Sequence, residues 1–254
     1  QKDRAEDSIR LAQLVFGEDF LDNHTVTMAL CNGNSPRVWD QTMLDAVKTY
    51  ARHNQAVLCT PFSLAGATTP ADAVGTIAQL NAESLAAVAL GQLVRAGSPM
   101  VFSAALWAVS MRSGAPVMGT PELSLMNFMT GQLARFYDLP FRTSSMWSGS
   151  KVVDAHSGYE SATGLFATLL SGGHVLVHCA GLRESTLTMS YGKFLLDAEQ
   201  VEMAYKLGAG PQLEGLSEAM AAVREVPPGG HYLGSDHTLK HFQSAFYIPE
   251  LQDT

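Results

Sequence analysis

His178 follows the apolar run Val175-Leu176-Val177, and Glu184 stands six residues further on. A histidine at the end of a β-like run is placed for acid/base work or for hydrogen bonding to a ligand; its ordinary role is a packed ring satisfied by backbone. Other runs end in small polar side chains: Asn32 and Asn34, Thr60 and Ser63, Ser103, and Ser144, Ser145 and Ser148. If the runs are parallel strands, these residues converge with His178 and Glu184 on one rim, where α/β proteins carry their chemistry. Singly, each Ser, Thr or Asn is ordinary turn chemistry. Together they describe a rim rich in neutral hydrogen-bonding groups, with only Arg112, Lys151 and Arg183 as nearby cations, each several residues past a strand. Such a rim suits a neutral or cationic ligand. Phe62, Trp107 and Trp147 fall after the second, third and fourth runs. Aromatic faces around a cleft hold quaternary ammonium groups by cation–π attraction, although loop aromatics more ordinarily cover a core.

Other constellations are weaker. His237 and His241 have the i,i+4 spacing of zinc ligands on a helix, but no Glu follows His237 as HExxH requires, so no metal is expected. Asp154 reads as a helix N-cap, and Glu122 as a carboxylate placed favourably near a helix N-terminus. There is no GxSxG nucleophile elbow, no GxGxxG after the first run and no GxxxxGK[ST]. Cys31, Cys59 and Cys179 lie in or beside apolar runs without CxxC spacing, as reduced core thiols in a cytoplasmic protein do.

The elements that must position these residues recur as a cadence of β-like run, polar turn and amphipathic helix. The runs are Thr25–Cys31, Ala56–Thr60, Pro99–Ser103, Pro140–Ser144 and His174–Cys179. Helices are expected over Asp7–Phe16, Trp39–Arg52, Pro70–Val94, Thr120–Tyr137 with Pro121 in its first turn, Ala155–Leu170, Asp197–Leu207, Leu213–Glu225 and Thr238–Phe246. Trp107 to Thr120 reads as a long loop. Strand, crossover helix and parallel strand need about 30 residues, the spacing seen. Five βα units are fewer than the eight of a closed barrel, which leaves an open doubly wound sheet or part of a barrel.

The bulk numbers agree with a soluble globular protein. The 254 residues suffice for a full core, read here as a single domain over 1–254. A hydrophobic content of 46% with 16% charged residues leaves a somewhat apolar surface, from which a homo-oligomer is expected. The net charge of −8 and the lack of a basic stripe argue against nucleic acid. No run of 18 apolar residues marks a membrane span, and the charged start at Gln1 does not read as a signal peptide.

Several segments, in order, carry a family resemblance: Cys31-Asn32-Gly33-Asn34-Ser35-Pro36, Thr60-Pro61-Phe62-Ser63-Leu64-Ala65-Gly66-Ala67-Thr68-Thr69-Pro70, Gly119-Thr120-Pro121-Glu122, Ser150-Lys151-Val152-Val153-Asp154-Ala155 and Gly229-Gly230-His231-Tyr232-Leu233-Gly234. Over nearly its whole length the chain resembles the trimethylamine methyltransferase family, the corrinoid-dependent methyltransferases that include glycine betaine members. The resemblance implies a (β/α)8 TIM-type barrel, of which this chain supplies about five βα units as the C-terminal portion. It implies methyl transfer from a methylated amine to the cobalt of a corrinoid, with the corrinoid carried by a cognate corrinoid protein and no group bound covalently. The family's trimethylamine enzymes carry pyrrolysine, whereas this chain contains only standard residues. A quaternary amine such as a betaine is therefore the favoured substrate, with trimethylamine second. The residues assigned to the site are His178 as the catalytic group and Asn32, Phe62, Ser103, Trp107, Ser144, Trp147 and Glu184 as the substrate-binding set. Two competing readings are a truncated paralogue that binds a ligand or corrinoid protein without turnover, and a barrel lyase; the lyase lacks a Schiff-base lysine at a strand end.

Overall fold

The computed structural model describes residues 2–211 and 213–251. The chain divides into two compact units, the first ending at Asp197 and the second starting at Ala198. Helices α1 (Lys2–Phe16) and α2 (Glu18–Asn23) precede β1 (Met28–Gly33), α3 (Gln41–Arg52), β2 (Ala56–Ala65), α4 (Ala73–Val94), β3 (Met100–Ser103), β4 (Ala105–Val109) and β5 (Pro116–Val117). Then come α5 (Pro121–Phe136), β6 (Phe141–Ser144), α6 (Ala155–Leu170), β7 (Val175–Val177), the short strands β8 (Leu182–Arg183) and β9 (Thr188–Met189), and α7 (Tyr191–Gly208). The second unit carries α8 (Leu216–Glu225) and α9 (Asp236–His241).

All five expected runs are strands, and they pair in parallel in the order β1-β2-β3-β6-β7. That order follows the chain without reversal. Consecutive crossover helices pack on one another, α3 on α4, α4 on α5 and α5 on α6, as one layer. A doubly wound sheet would reverse its strand order and put helices on both faces, so that alternative is set aside.

Strand alternation divides the residues between two faces. Toward the helices point Cys31, Val57, Cys59, Met100, Phe102 and Phe141, all buried in apolar clusters with Val47, Tyr50, Leu80 and Met126. Fully burying side chains of this size stabilises by about 1.5–3 kcal/mol each. The opposite face carries Leu30, Asn32, Thr60, Ser103, Arg142 and Ser144. The register sets Asn32 beside Thr60 and Ser103 beside Arg142.

Four crossover helices start at side-chain caps: Asp40 accepts from Met43 N at 2.9 Å, Asp72 from Gly75 N at 2.7 Å, Thr120 from Leu123 N at 3.5 Å and Asp154 from Ser157 N at 2.9 Å. A cap of this kind is worth about 1 kcal/mol. The expected start of α4 at Pro70 moves to Ala73 because Asp72 takes the cap, while Pro70 stays in the turn and accepts from Thr76 Oγ1 at 3.0 Å. By length and composition α4 is apolar enough to cross a membrane. Here it is a crossover helix packed on β2, β3, α3 and α5, and it buries the charged Glu83.

The loop expected between Trp107 and Thr120 is partly strand. β2 outruns β3, and its second half pairs with β4 (Phe62 with Ala105, Leu64 with Trp107), to which β5 adds antiparallel. Helix α7 begins at Tyr191 rather than Asp197, its first turn closed by Ser190, which accepts from Phe194 N at 2.9 Å. In the second unit, α9 stops at His241 instead of reaching Phe246: the N–H groups of Ser244 and Ala245 both return to His241 O, a closing turn.

One buried ion pair ties the loops at the strand ends together. Lys193 Nζ donates to Met146 O at 3.0 Å and Ser161 Oγ at 2.7 Å, and pairs with Asp197, which also accepts from Gly181 N at 2.8 Å. Lys193 and Asp197 are each 1% exposed. The three ammonium donors are thus all used, and α7 is fixed to the loops after β6 and β7. Removing one partner strands a buried charge, whereas replacing both by apolar groups does not. Asp197→Leu alone is expected to lower stability by about 3–5 kcal/mol, and the double variant Lys193→Met/Asp197→Leu to recover most of that loss, both read by urea denaturation.

Candidate functional site

At the C-terminal ends of the parallel strands lies a cavity of about 310 Å³. Strands β1 and β2 give it Leu30, Asn32, Thr60 and Phe62; β4 gives Ala105 and Trp107; β6 gives Arg142 and Ser144. Trp147 and His178 come from the loops after β6 and β7, and Leu182 and Thr186 from the strap that follows. Six of the eight residues expected from the sequence therefore meet here: Asn32, Phe62, Trp107, Ser144, Trp147 and His178. Ser103 does not line the cavity but is fully buried beside it, where it receives Thr60 Oγ1 at 2.7 Å. Glu184 stands outside the lining, in a tight turn between Leu182 and Thr186, with its backbone N–H on Ser150 O at 3.3 Å.

The residue that sequence reasoning missed is Arg142. It sits inside β6, only 1% exposed. Its Nη1 donates to Ala104 O at 2.9 Å and to Ser103 Oγ at 3.5 Å, and its Nη2 lies 3.5 Å from His178 Nδ1. Its Nε is buried without a partner. Among the described residues no carboxylate pairs with it. Burial pulls its pKa down to about 10, with the Cys179 thiol opposing the shift, so it stays charged at neutral pH. The rim is therefore not poor in charge. The signal is present in the fourth run, where alternation puts Arg142 on the same face as Ser144 at the strand end.

His178 is held by the same network. Ser144 Oγ lies 3.3 Å from its Nδ1. A guanidinium only donates, which assigns the acceptor role to Nδ1 and the ring proton to Nε2. Burial, and then the Arg142 charge, hold the His178 pKa below the ordinary histidine value. Its backbone is left-handed, with φ 59°, a conformation uncommon outside glycine.

The aromatic side is a stack. Trp107 and Trp147 lie parallel with centroids 4.5 Å apart and planes 7° apart. Phe62 abuts Trp107 at 4.5 Å, and Trp147 reaches His178 at 5.7 Å. The Trp147 indole N–H is buried without a partner. One cavity thus combines a desolvated cation with spare donor capacity, a neutral histidine and an aromatic wall. That arrangement accepts a ligand with an anionic end and an apolar or cationic end.

Burial pushes the Cys31 thiol up to about 12 and Cys59 higher still, which makes both poor nucleophiles. His237 and His241 are 4.7 Å apart, and Glu218 lies 3.6 Å from His241. Among the described residues no group of three or more His, Cys, Asp or Glu is placed to hold a metal ion.

Comparison with known proteins bears on this site. The sequence model of the family described as trimethylamine methyltransferase (MTTB) matches residues 1–254. A glycine betaine methyltransferase of Desulfitobacterium hafniense (strain Y51) is 38% identical over 253 residues, 99% of this chain and 53% of that protein. A trimethylamine methyltransferase MttB of Desulfitobacterium hafniense (strain DSM 10664 / DCB-2) is 29% identical over 181 residues, 71% of this chain and 36% of its own length. A proline betaine:corrinoid methyltransferase of Eubacterium limosum is 29% identical over 219 residues, 85% of this chain and 45% of its own. The chain thus spans about half the length, or less, of these curated relatives.

The electrostatics of the site can be tested on His178. Its folded-state pKa is the lowered one, so as pH falls the unfolded chain binds the proton first. Stability is then lost as pH drops below the ordinary histidine range, where the unfolded state holds more protons. Arg142→Met removes one of the two causes of the lowering. The His178 pKa, followed by NMR of the ring protons, is expected to rise in that variant and yet stay below the ordinary value because burial remains.

Proposed function

Because the chain belongs to the trimethylamine methyltransferase family, we propose that it acts on a betaine, moving one N-methyl group to the cobalt of a corrinoid carried by a cognate corrinoid protein. Methyltransferase chemistry follows from the family. The choice of a betaine rests on one observation, the buried Arg142 facing the same cavity as the aromatic stack. A betaine carries a carboxylate at one end and a quaternary ammonium at the other. Arg142 is the group to receive the carboxylate, with charge-assisted hydrogen bonds to a buried cation that pairs with no carboxylate among the described residues. Trp147 and Trp107 are the groups to face the ammonium. Trimethylamine has no carboxylate and would leave the guanidinium unpaired, which makes it the second choice.

The corrinoid supplies a nucleophilic cobalt(I) that accepts the methyl group; it is a co-substrate at the cavity mouth and not a group held by this chain. A quaternary ammonium releases a neutral tertiary amine, so no residue needs to protonate the leaving group. The protein's task is to bind, orient and exclude water. Arg142 and His178 fix the carboxylate end. Ala104 O and Ser103 Oγ accept from the guanidinium, Thr60 in turn donates to Ser103, and Ser144 holds the imidazole. The aromatic wall removes water from around the methyl groups.

The sequential parallel sheet, with its single helix layer, supports the reading that this chain contributes about five units of a (β/α)8 barrel. Free thiols at Cys31, Cys59 and Cys179 support a reducing, cytoplasmic setting. Exposed apolar residues on α1, among them Leu14 and Val15 at 76% and 74%, support a homo-oligomer.

Turnover in the intact protein, with reduced corrinoid protein and a panel of methylamines, tests the reading. Glycine betaine is the expected methyl donor, and choline, which lacks the carboxylate, is expected to be poor. Arg142→Gln is expected to lower kcat/KM for glycine betaine about 100-fold, the equivalent of roughly 3 kcal/mol for a hydrogen-bonded charge pair. His178→Ala is expected to lower it at least tenfold while preserving the fold. Turnover of trimethylamine without any quaternary amine would overturn the betaine assignment.

A further inference from the structure

A second, smaller cavity of about 40 Å³ lies behind the aromatic wall. It is bounded by the loop after β6 and by α5 and α6, with Ser124, Asn127, Thr163 and Glu160 in its lining. Ser144 and Trp147 belong to the linings of both cavities. Trp147, 8% exposed, stacks on Trp107, which lines only the large cavity. The two sides carry opposite charges: Arg142 on the large side, and on the small side the Glu160 carboxylate, 4% exposed. Glu160 is not spent on a buried cation. It accepts from Ser148 Oγ at 2.7 Å and Gly149 N at 2.8 Å, and its other oxygen lies 3.1 Å from the solvent-facing His156.

We infer that Trp147 is the specificity-determining residue that limits the site to short betaines, and that the cavity behind it is a latent subsite for the ammonium end of longer ones. The inference rests on the betaine reading above. With a carboxylate on Arg142, each methylene inserted into the substrate drives the ammonium toward the Trp147 plane. In glycine betaine one methylene separates the charges, and the ammonium stays on the near side of the indole. In γ-butyrobetaine three methylenes separate them, and the ammonium would have to pass the ring that glycine betaine only touches. Shortening the Trp147 side chain would open the large cavity toward the small one, whose lining includes the Glu160 carboxylate. A steric wall of this kind discriminates strongly because a packed aromatic cannot yield without breaking its stack on Trp107.

The test is calorimetric binding of glycine betaine and γ-butyrobetaine to the intact protein and to Trp147→Leu and Trp147→Phe, with circular dichroism as the check of folding. Trp147→Phe keeps a ring against Trp107 and serves if the leucine variant fails to fold. The expected result is a wild-type protein that binds glycine betaine and discriminates against γ-butyrobetaine. In the variants the affinity ratio of γ-butyrobetaine to glycine betaine should rise at least tenfold, more in Trp147→Leu than in Trp147→Phe. The gain should fall away when Glu160→Gln is added. Glycine betaine binding to wild type with an unchanged ratio in a folded variant would overturn the role of Trp147 while leaving the betaine reading intact. No binding of either betaine to wild type would overturn that reading and this inference with it.

Discussion

A guanidinium buried without an anion among the described residues is the constraint around which the site is arranged. Taking a charge out of water costs several kcal/mol even after relaxation, and Arg142, 1% exposed, receives only neutral partners: a backbone carbonyl, a serine hydroxyl and a neutral imidazole. These keep it folded in place without cancelling its charge. The remaining donor capacity, including the unpartnered Nε, is what a bound carboxylate can use. The same charge helps hold His178 neutral, so the cation and the histidine are one electrostatic unit.

Holding such a unit open requires rigid surroundings. The strand register brings Ser103 beside Arg142 and Asn32 beside Thr60, and the Thr60–Ser103 hydrogen bond links neighbouring strands under the cavity floor. Above the floor, the Lys193–Asp197 pair fixes Met146, next to Trp147, and Gly181, just beyond His178. A buried ion pair is weak evidence for stability, but this one sets geometry: all three Lys193 donors are used, and Asp197 Oδ2 takes both Lys193 and Gly181 N. Both loops that carry the aromatic wall and the histidine are thereby tied to one helix.

Much of this was legible in the sequence because it depends on local pattern. The β-runs at Ala56–Thr60 and Pro99–Ser103 are continuous apolar or small-residue segments, as strands buried on both faces must be, and Asp154 and Thr120 announce their helices by capping chemistry. What was not legible depends on pairing. β4 exists because β2 is longer than β3 and leaves hydrogen-bonding groups for another strand, which no local window shows. Glu184 was placed in the site by its distance from His178 along the chain, but a tight turn with left-handed residues Glu184, Ser185 and Thr186 carries it out of the lining. Arg142 was written in the alternation of Phe141-Arg142-Thr143-Ser144, yet a charge inside a strand reads as exposed until the fold shows that its face of the sheet encloses a cavity.

The account stands or falls on where a betaine puts its carboxylate. A crystal structure of the intact protein with glycine betaine bound measures this directly. The account predicts both carboxylate oxygens in the cavity at the strand ends, at least one within hydrogen-bond distance of the Arg142 guanidinium, and the methyl groups against Trp147 and Trp107. A betaine seated with its carboxylate away from Arg142, or bound outside this cavity, would contradict it.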